Sequence, residues 1–299
     1  MRLSDFIEDI KLEYSNNFEF SNMATVDTKV KKTLTYAVES QFAKQADNND
    51  NIVGIIIPKS LSGWKSQKNL VFSEAPISDF YKIFLLWVEK NKSIEVSHIS
   101  QTAKIHPSAS IEKVGVYIGD NVVIEENVII KEGVTINDNS IVRSNSVIGN
   151  EGFDVKKIDG KSIVVPHNGK VIIGKNVEIQ SLCNIDKGIM GRDTIIGDYT
   201  KIDSMVHIAH CVHLGKNCVI VANVMVSGSC TIGDDVRIGP SSTISNGIKI
   251  ANGAKISIGS TVISDVKEGQ TVTGYFAKKH SHFLFEQILL NKLRKKNER

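Results

Sequence analysis

From residue 196 onward, an aliphatic side chain stands at every sixth position of the chain. The series begins at Ile196 and runs to Val262 without a slip, and earlier blocks with the same spacing begin at Ile118 and Ile173. An α-helix repeats about every 3.6 residues and an isolated strand about every two, so neither explains a strict period of six. The period therefore indicates a repeat fold made of short, similar units.

Two further columns predict the shape of each unit. Two residues before each aliphatic stands a smaller side chain, as at Val206 and Cys218, and positions two apart on a strand face the same side. One residue after the aliphatic stands a small or turn-tolerant residue such as Gly197 or Gly215, which predicts a corner there. A short strand and a corner every six residues build a three-sided solenoid with eighteen residues per coil. We therefore predict a parallel β-helix of hexapeptide repeats.

The period is interrupted twice. The spacing from Ile148 to Ile173 is 25 rather than 24, which predicts a loop ejected from the coil over residues 149–172, and the spacing from Ile185 to Ile196 is 11. Loops on a rigid scaffold often carry binding groups, although a neutral insertion at a corner is the alternative. Phe153 in the first loop either stacks on a substrate or anchors the loop.

The period is missing at both ends of the chain. Residues 1–100 combine a predicted strand at 52–57 with a predicted helix at 78–90, which indicates a small α/β domain. The β-helix is expected over 101–275, and the C-terminal segment 276–299 has a predicted helix at 283–296. The apolar side of that helix is expected to carry Phe285, Ile288, Leu289 and Leu293. Its last turns carry Lys292, Arg294, Lys295 and Lys296, which suit the helix dipole or an acidic partner.

Composition excludes several classes of protein. The 299 residues carry a net charge of +3, which is too small to argue for nucleic-acid binding, and no apolar run reaches the roughly 20 residues of a membrane span. The first five residues include an acidic one where a signal peptide has an apolar stretch, so we expect a cytoplasmic protein. The four cysteines form no CxxC pair, and Cys183, Cys218 and Cys230 fall in the inward column, which predicts packing rather than chemistry.

The candidate chemistry lies in three histidines, His207, His210 and His213. The side chain of an unperturbed histidine has a pKa of about 6.5, so it can act as a general base near neutral pH. Histidine is also a common zinc ligand. Solvated surface histidines are the third interpretation. Because successive histidines are three residues apart, the side chains of His207 and His213 are expected to point away from that of His210. This arrangement disfavours a shared zinc ion.

The coil length relates His210 to two other residues. One coil after His210 comes Gly228, which leaves room beside the imidazole and an approachable backbone N–H. A backbone N–H aimed at a developing oxyanion is the usual companion of a base in acyl transfer. Two coils after His210 comes Asn246, which can donate a hydrogen bond to a substrate.

With these features, the sequence resembles the acyltransferases of lipid A synthesis, and in particular the UDP-3-O-acylglucosamine N-acyltransferases. The similarity reaches from the front domain through most of the chain. The segments that carry it include Val206-His207-Ile208-Ala209-His210, Asn150-Glu151-Gly152-Phe153 and Asn184-Ile185-Asp186-Lys187-Gly188.

The resemblance implies a left-handed β-helix and a homotrimer with active sites between neighbouring copies. It implies that His210 is the general base that deprotonates a sugar amine as the amine attacks an acyl thioester. Gly228 would supply the oxyanion N–H, and Asp203 would orient the substrate or His210. The residues expected to bind substrate are Asn246, Phe153, Asp186 and His207. The front domain would hold a nucleotide base and the C-terminal helix would meet an acyl carrier protein, with no metal and no tightly bound cofactor.

The sequence departs from that family in three places. Asn246-Gly247 is followed by Ile248 where the family has a second histidine, the solenoid before the ejected loop is shorter, and the C-terminal helical region is short. These departures leave an alternative open, in which the donor is acyl-coenzyme A and the acceptor a simpler nucleotide amino sugar for an O-antigen or capsule. A zinc-dependent hydratase resembling carbonic anhydrase and a solenoid that only binds are more distant alternatives.

Overall fold

The protein is described by a computed structural model over residues 1–6, 10, 12–92, 95–274 and 276–297. In this part of the chain the N-terminal unit has one sheet with strand order β1-β5-β4-β3-β2, in which only β1 runs antiparallel to its neighbour. Its strands are β1 (Glu13–Tyr14), β2 (Asn22–Met23), β3 (Thr33–Tyr36), β4 (Ile52–Pro58) and β5 (Asn69–Ser73). Short 3-10 turns occupy Leu3–Phe6 and Lys59–Leu61.

Two helices complete the N-terminal unit, α1 (Ser40–Asp47) and α2 (Pro76–Lys90). The strand predicted at 52–57 and the helix predicted at 78–90 are both confirmed. Helix α2 begins two residues earlier than predicted because Pro76 stands in its first turn, where a proline costs no hydrogen bond. Phe80, Ile83, Phe84 and Trp87 are buried on its inner side at helical spacing.

From residue 98 the described chain winds through three parallel sheets, which are the faces of a left-handed β-helix. The first face contains β6 (His98–Ile99), β9 (Tyr117–Ile118), β12 (Val134–Ile136), β17 (Val171–Ile173), β20 (Thr194–Ile196), β23 (His213–Leu214), β26 (Thr231–Ile232) and β29 (Lys249–Ile250). The second face contains β7 (Lys104–Ile105), β10 (Val123–Ile124), β13 (Ile141–Val142), β18 (Glu178–Ile179), β21 (Lys201–Ile202), β24 (Val219–Ile220), β27 (Arg237–Ile238), β30 (Lys255–Ile256) and β32 (Thr271–Val272). The third face contains β8 (Ser110–Ile111), β11 (Ile129–Ile130), β14 (Val147–Asn150), β19 (Asn184–Asp186), β22 (His207–Ile208), β25 (Met225–Val226), β28 (Thr243–Ile244) and β31 (Thr261–Val262).

The period of six corresponds to the core of the solenoid. Ile208 pairs with Val226 one coil on, and both side chains are fully buried. The smaller column is buried as well, including Val206, Cys218 and Cys230. Each coil therefore stacks aliphatic side chains on those of the next, and burial at about 0.8 kcal/mol per methylene group drives the stacking. The predicted hexapeptide β-helix is confirmed.

The corners lie two residues later than predicted. The left-handed backbone conformation occurs at the third residue after the aliphatic, as at Asn121, Asn217 and Asn223, where φ is 55, 54 and 59°. Asparagine tolerates this conformation better than other side chains do. The position directly after the aliphatic is small for a different reason, which is close contact with the next coil. A Cβ at Gly197 would lie 2.5 Å from the carbonyl carbon of Gly215 in the next coil.

Both interruptions of the period leave the solenoid at the edge between the third and first faces, which we call the loop edge. The first, between β14 and β17, carries an antiparallel hairpin of β15 (Val155–Ile158) and β16 (Lys161–Val164). The second comprises residues 187–193 between β19 and β20. The N-terminal unit packs on both, because its core cluster includes Val165 from the first loop and Met190 from the second. The Asp159 carboxylate also accepts a hydrogen bond from the Ser78 hydroxyl at 3.1 Å.

The C-terminal helix α3 (His280–Asn297) begins three residues before the predicted start. The predicted apolar side is only part of its apolar surface, because Phe283, Leu284 and Leu290 are also apolar and exposed. The side chains of Lys295 and Lys296, which belong to the predicted basic end, lie outside the described residues. Within the described chain, no helix is long and apolar enough to cross a membrane.

Candidate active site

Three predicted site residues form a column on the loop edge. His210, Gly228 and Asn246 occupy the same corner in successive coils. The backbone joins these coils, since the Ser229 N–H donates to the His210 carbonyl at 2.9 Å and the Gly247 N–H donates to the Gly228 carbonyl at 3.0 Å. The structure thus brings together the residues that the eighteen-residue offset relates.

Gly228 makes room for the His210 imidazole. A Cβ at position 228 would lie 2.6 Å from Nε2 of His210 and 2.7 Å from its Cε1, closer than a real Cβ comes to another atom. In the part of the chain that the structure describes, the Gly228 N–H has no hydrogen-bond acceptor, whereas the N–H of Ser227 donates to Ile244 at 3.0 Å. The residue packed against this histidine nitrogen therefore has a backbone N–H without an acceptor, and such a pair can serve acyl transfer when the N–H is aimed at the substrate.

The His210 ring is half-buried and uncharged at neutral pH. Its Nδ1 atom is buried and has no hydrogen-bond partner among the described residues. Burial lowers the pKa of His210 below its ordinary value, and the neighbouring His167 lowers it further. A neutral imidazole keeps one nitrogen lone pair available, so it can accept a proton.

His167 lies in the ejected loop and contacts the candidate base, and the sequence analysis did not single it out. Its ring packs edge to face on that of His210, with the ring centroids 5.1 Å apart. The side chain is fully buried, and a Cβ at Gly152 would lie 2.5 Å from its Nε2, so Gly152 leaves space for the ring. The period of the repeat does not predict this contact. The eighteen-residue offset relates only residues within the coils, and His167 lies in a loop outside them.

Glu151 connects the two interruptions of the loop edge. One of its carboxylate oxygens pairs with Lys187 Nζ at 2.8 Å, and the other accepts the His167 backbone N–H at 2.6 Å. Lys187 belongs to the second interruption, and its own backbone N–H donates to the Asn150 carbonyl at 3.0 Å. The start of the ejected loop is therefore held against the following coil.

Asp186 and His207 form a separate cluster on the third face. His207 Nε2 lies 3.5 Å from an Asp186 carboxylate oxygen, and the Asn184 side-chain amide donates to that carboxylate at 2.6 Å. Asp186 is almost fully buried, and burial raises its pKa above the ordinary value. His207 is partly exposed, so it can contact a substrate lying along this face.

Asp203 lies at a different edge from His210 within one chain, and Phe153 makes no ring contact with His210 among the described residues. Asp203 directly follows strand β21 of the second face, and its carboxylate accepts the backbone N–H groups of Ser204 and Ala222 at 2.7 and 3.2 Å. It therefore lies at the edge between the second and third faces. Phe153 is 80% exposed on the ejected loop. A role for Asp203 toward His210 requires a neighbouring copy of the chain.

The three histidines of residues 207–213 do not converge. His207 lies on the third face, His213 on the first, and His210 at the corner between them. Among the described residues, no group of three His, Cys, Asp or Glu side chains is placed to hold a metal ion. Within one chain, these positions therefore provide no ligand set for the zinc-dependent alternative.

A cleft of about 410 Å³ opens beside the column, between the N-terminal unit and the loop edge. Its walls include Asp27 and Lys29 from the N-terminal unit, Arg192 and Asp193 from the second interruption, and Cys211 and Ser229 from the solenoid. The Arg192 guanidinium lies 3.4 Å from the hydroxyl of Ser229, the residue that follows Gly228 in the sequence. Arginine and lysine in one cleft can bind a phosphate-bearing ligand next to the histidine.

Comparison with known proteins gives the same type of repeat. Residues 115–150 and 193–228 match the family described as bacterial transferase hexapeptide (six repeats), and residues 230–264 match the hexapeptide repeat of succinyl-transferase. Among solved structures, a UDP-N-acetylglucosamine acyltransferase from Campylobacter jejuni is 28% identical, with a TM-score of 0.49 over 58% of this chain and 70% of that one. A UDP-N-acetylglucosamine O-acyltransferase from Moraxella catarrhalis is 26% identical, with a TM-score of 0.42 over 61% of this chain and 73% of that one.

Curated proteins give a more specific similarity. A UDP-3-O-acylglucosamine N-acyltransferase from Prochlorococcus marinus is 52% identical over 146 residues, which are 49% of this chain and 42% of that protein. The protein of the same name from Caulobacter vibrioides is 49% identical over 146 residues, 49% of this chain and 43% of that protein. The chain thus matches less than half the length of these relatives. It carries the bacterial transferase hexapeptide repeat and, over about half its own length, is similar to UDP-3-O-acylglucosamine N-acyltransferases.

Proposed function

We propose that the protein is an N-acyltransferase that transfers an acyl group from a thioester to the amine of a nucleotide-activated amino sugar. The observation that carries this proposal is the pair of His210 and Gly228, a neutral imidazole beside a free backbone N–H. The similarity to UDP-3-O-acylglucosamine N-acyltransferases supports the same reaction class.

In the proposed reaction, the sugar amine attacks the thioester carbonyl while His210 takes a proton from the amine. The carbonyl oxygen gains negative charge, and the Gly228 N–H donates a hydrogen bond to it. Collapse of the tetrahedral intermediate breaks the carbon–sulfur bond. The His210 imidazolium then returns its proton to the leaving thiolate, which restores the neutral base.

The charged cleft supports a nucleotide-linked acceptor. Arg192 and Lys29 would bind the phosphates, and Asn246, which is exposed one coil after Gly228, would donate to the sugar. His207 and Asp186 would contact the substrate along the third face. The exposed aromatic ring of Phe153 would stack on the base or cover the acyl chain.

We also propose that the active protein is a homotrimer. Leu182 and Met205 stack on successive coils of the edge where Asp203 lies, and they are 57% and 54% exposed. Large apolar side chains repeated along one edge favour contact with another copy. Such a contact would bring Asp203 of one copy toward the loop edge of its neighbour. Sedimentation equilibrium on the full chain tests the assembly directly.

The donor is either an acyl carrier protein or coenzyme A. Lys292 and Arg294 on the exposed helix α3 suit an acidic carrier protein, which favours that donor. The alternative reaction, with acyl-coenzyme A and a simpler amino sugar, rested partly on Ile248. Ile248 is only 7% exposed and belongs to the inward column, so it offers an acceptor no polar group at the place where the family has a histidine.

A donor–acceptor matrix followed by mass spectrometry tests the proposal. The donors are 3-hydroxyacyl carrier protein and short acyl-coenzyme A, and the acceptors are UDP-3-O-acylglucosamine and a panel of nucleotide-linked amino sugars. We expect a product heavier by one acyl group and bearing an amide, and we expect its rate of formation to fall at least about 100-fold in His210→Ala. Turnover of only a simple amino sugar with coenzyme A would select the alternative, and absence of any acyl product would contradict the proposal.

A further inference from the structure

Two ring nitrogens in the site are buried without a hydrogen-bond partner among the described residues. They are Nε2 of His167 and Nδ1 of His210. An unpaired buried polar atom is destabilising, so two of them in adjacent rings call for an explanation. The general-base role of His210 leaves both atoms unexplained, since that role uses the other nitrogen of His210.

The surroundings of His167 settle which of its nitrogens carries the proton. Its Nδ1 lies 3.0 Å from the Val165 carbonyl oxygen and 3.7 Å from a Glu151 carboxylate oxygen. Both neighbours are acceptors, so Nδ1 must donate and therefore holds the proton of the neutral ring. Nε2 is then left with a lone pair, which makes it an acceptor buried beside His210.

The ring geometry allows this acceptor to pair with His210. The centroids are 5.1 Å apart and the ring planes are inclined by 64°. That centroid separation is compatible with one N–H···N hydrogen bond of about 2.9 Å when the two nitrogens point at each other. The two nitrogens are unpaired in the structure, so this hydrogen bond requires the rings to turn toward each other about their Cβ–Cγ bonds.

We infer that His167 is a positioning residue that accepts the Nδ1–H of His210 and so fixes the tautomer of the catalytic base. The inference rests on the proposed role of His210. With the proton on Nδ1, the lone pair of His210 lies on Nε2, the atom next to Gly228. The base is thereby directed at the place where the Gly228 N–H meets the substrate.

The hydrogen bond also stabilises the protonated base. When Nε2 takes a proton from the amine, the imidazolium keeps its Nδ1–H bond to His167, and the proton on Nε2 later leaves with the thiolate. No proton moves onto His167, so the transfer is balanced between amine, His210 and thiolate. This is the logic by which a base is oriented by a third group in other acyl-transfer sites.

The charges around the pair favour a neutral His167. Burial lowers the pKa of His167, while Glu151 and Asp154 act against that shift and Lys187 acts with it. Each carboxylate is itself neutralised, Glu151 by Lys187 at 2.8 Å and Asp154 by Lys156 at 2.8 Å. His210 faces the same Asp154 and Lys156 and also Arg192, and the effect of His167 that lowers the pKa of His210 is a repulsion that acts only while His167 is itself charged. A neutral ring is the form that can accept from His210.

Two variants at position 167 separate the acceptor from the ring. His167→Phe keeps an aromatic ring against His210 but has no acceptor, and His167→Gln keeps an amide oxygen that can accept. We expect kcat to fall about 10–100-fold in His167→Phe with KM little changed, and to recover in large part in His167→Gln. Loss of the acceptor removes a partner of the imidazolium, so the acid limb of the kcat/KM profile is expected to move to lower pH in His167→Phe.

The outcomes distinguish this inference from the proposed function. If His210→Ala lowers the rate but His167→Phe leaves both kcat and the pH profile unchanged, the inference is wrong and the base assignment stands. An acid limb that moves to higher pH in His167→Phe also overturns it, because His167 would then act as a repelling cation. If His210→Ala retains full activity, the proposed base is wrong whatever the variants at 167 show.

A measurement without turnover covers the case in which the His167 variants do not fold. In the full-length protein labelled with ¹⁵N-histidine, His210 is expected to show a protonated Nδ1 and an unprotonated Nε2 at neutral pH. The opposite tautomer would overturn the inference.

Discussion

The imidazole rings of His210 and His167 lie edge to face with centroids 5.1 Å apart, although one belongs to a coil of the β-helix and the other to a loop that leaves it. The coil fixes the position of His210, and the loop closes over it from the side of the N-terminal unit. Burial from both sides keeps His210 neutral, which is the state in which a histidine can remove a proton.

Replacement of His210 by alanine tests its role as the base. We expect kcat/KM to fall by about 10²–10⁴-fold, which is the usual contribution of a general base. His106→Ala is a matched control, because His106 is exposed near the start of the solenoid and contacts Ser108 and Glu126 rather than the column. Equal activities of His210→Ala and the wild type, with the fold verified by circular dichroism, would remove His210 from the mechanism.

A methyl group at position 228 is expected to displace the base. Its Cβ would lie 2.6 Å from His210 Nε2, so either the imidazole or the coil must shift. Since an offset of about 1 Å in a catalytic group can cost about 100-fold in rate, we expect Gly228→Ala to lose at least about tenfold in kcat. Gly63→Ala introduces the same methyl where no other atom lies within 4 Å, and it should retain full activity. Steady-state kinetics of the two variants decides the matter, and a fully active Gly228→Ala would contradict the arrangement.

Arg192 is expected to bind the acceptor rather than to take part in bond making. Arg192→Lys keeps the positive charge in the cleft but loses the planar pair of donors that matches a phosphate. The KM for the nucleotide sugar should therefore rise about tenfold while kcat stays within about twofold. Arg2→Lys, which changes an exposed ion pair with Glu19, serves as the control. A large fall in kcat with an unchanged KM would place Arg192 in the chemical step instead.

The repeat was predictable because its period is the physical signature of the core. Each Ile or Val of the series enters the same interior, so the sequence alone indicates the faces, the coil length and hence the neighbourhood of His210 and Gly228. The corner was misplaced by two residues because Gly197 is small for another reason. A side chain there would collide with Gly215 of the next coil.

The contact of His167 with His210 could not be predicted in the same way. It depends on the path of the ejected loop, which Glu151 and Lys187 hold against the next coil. Packing of the loop on the N-terminal unit is equally invisible to a repeat analysis. For Asp203 the position is fixed by the repeat, which places it at the edge between the second and third faces. Its proposed role toward His210 then depends on contact with a neighbouring copy, which one chain's repeat does not show.

The buried cysteines are expected to be unreactive in the folded protein. Burial raises the pKa of Cys183 and of Cys218 to about 11, and all four thiols are buried. Only the thiolate is a good nucleophile, so iodoacetamide at pH 8 should leave the four thiols unmodified and the activity intact. The same reagent in urea should modify all four, which provides the control. Rapid modification of Cys218 with loss of activity would show that it is more than a packing residue.

The two neutral histidines are expected to make the fold sensitive to acid. In the folded protein the pKa values of His167 and His210 lie below the ordinary value near 6.5, which holds for the unfolded chain. At a pH between the folded and the unfolded pKa of either histidine, the unfolded chain therefore binds more protons than the folded one. The free energy of unfolding should therefore decrease as the pH falls below about 6.5, by up to about 1.4 kcal/mol per pH unit for each histidine.

Urea unfolding at pH 7.5 and pH 5.5 measures this dependence. Asp186 acts in the opposite direction, because its raised pKa lets the folded protein take up a proton before the unfolded chain does. Comparison with the double variant His167→Gln/His210→Gln removes that contribution, since Asp186 is common to both proteins. We expect the double variant to lose less stability between the two pH values than the wild type. An equal loss in both proteins would mean that His167 and His210 titrate in the folded chain as they do in water.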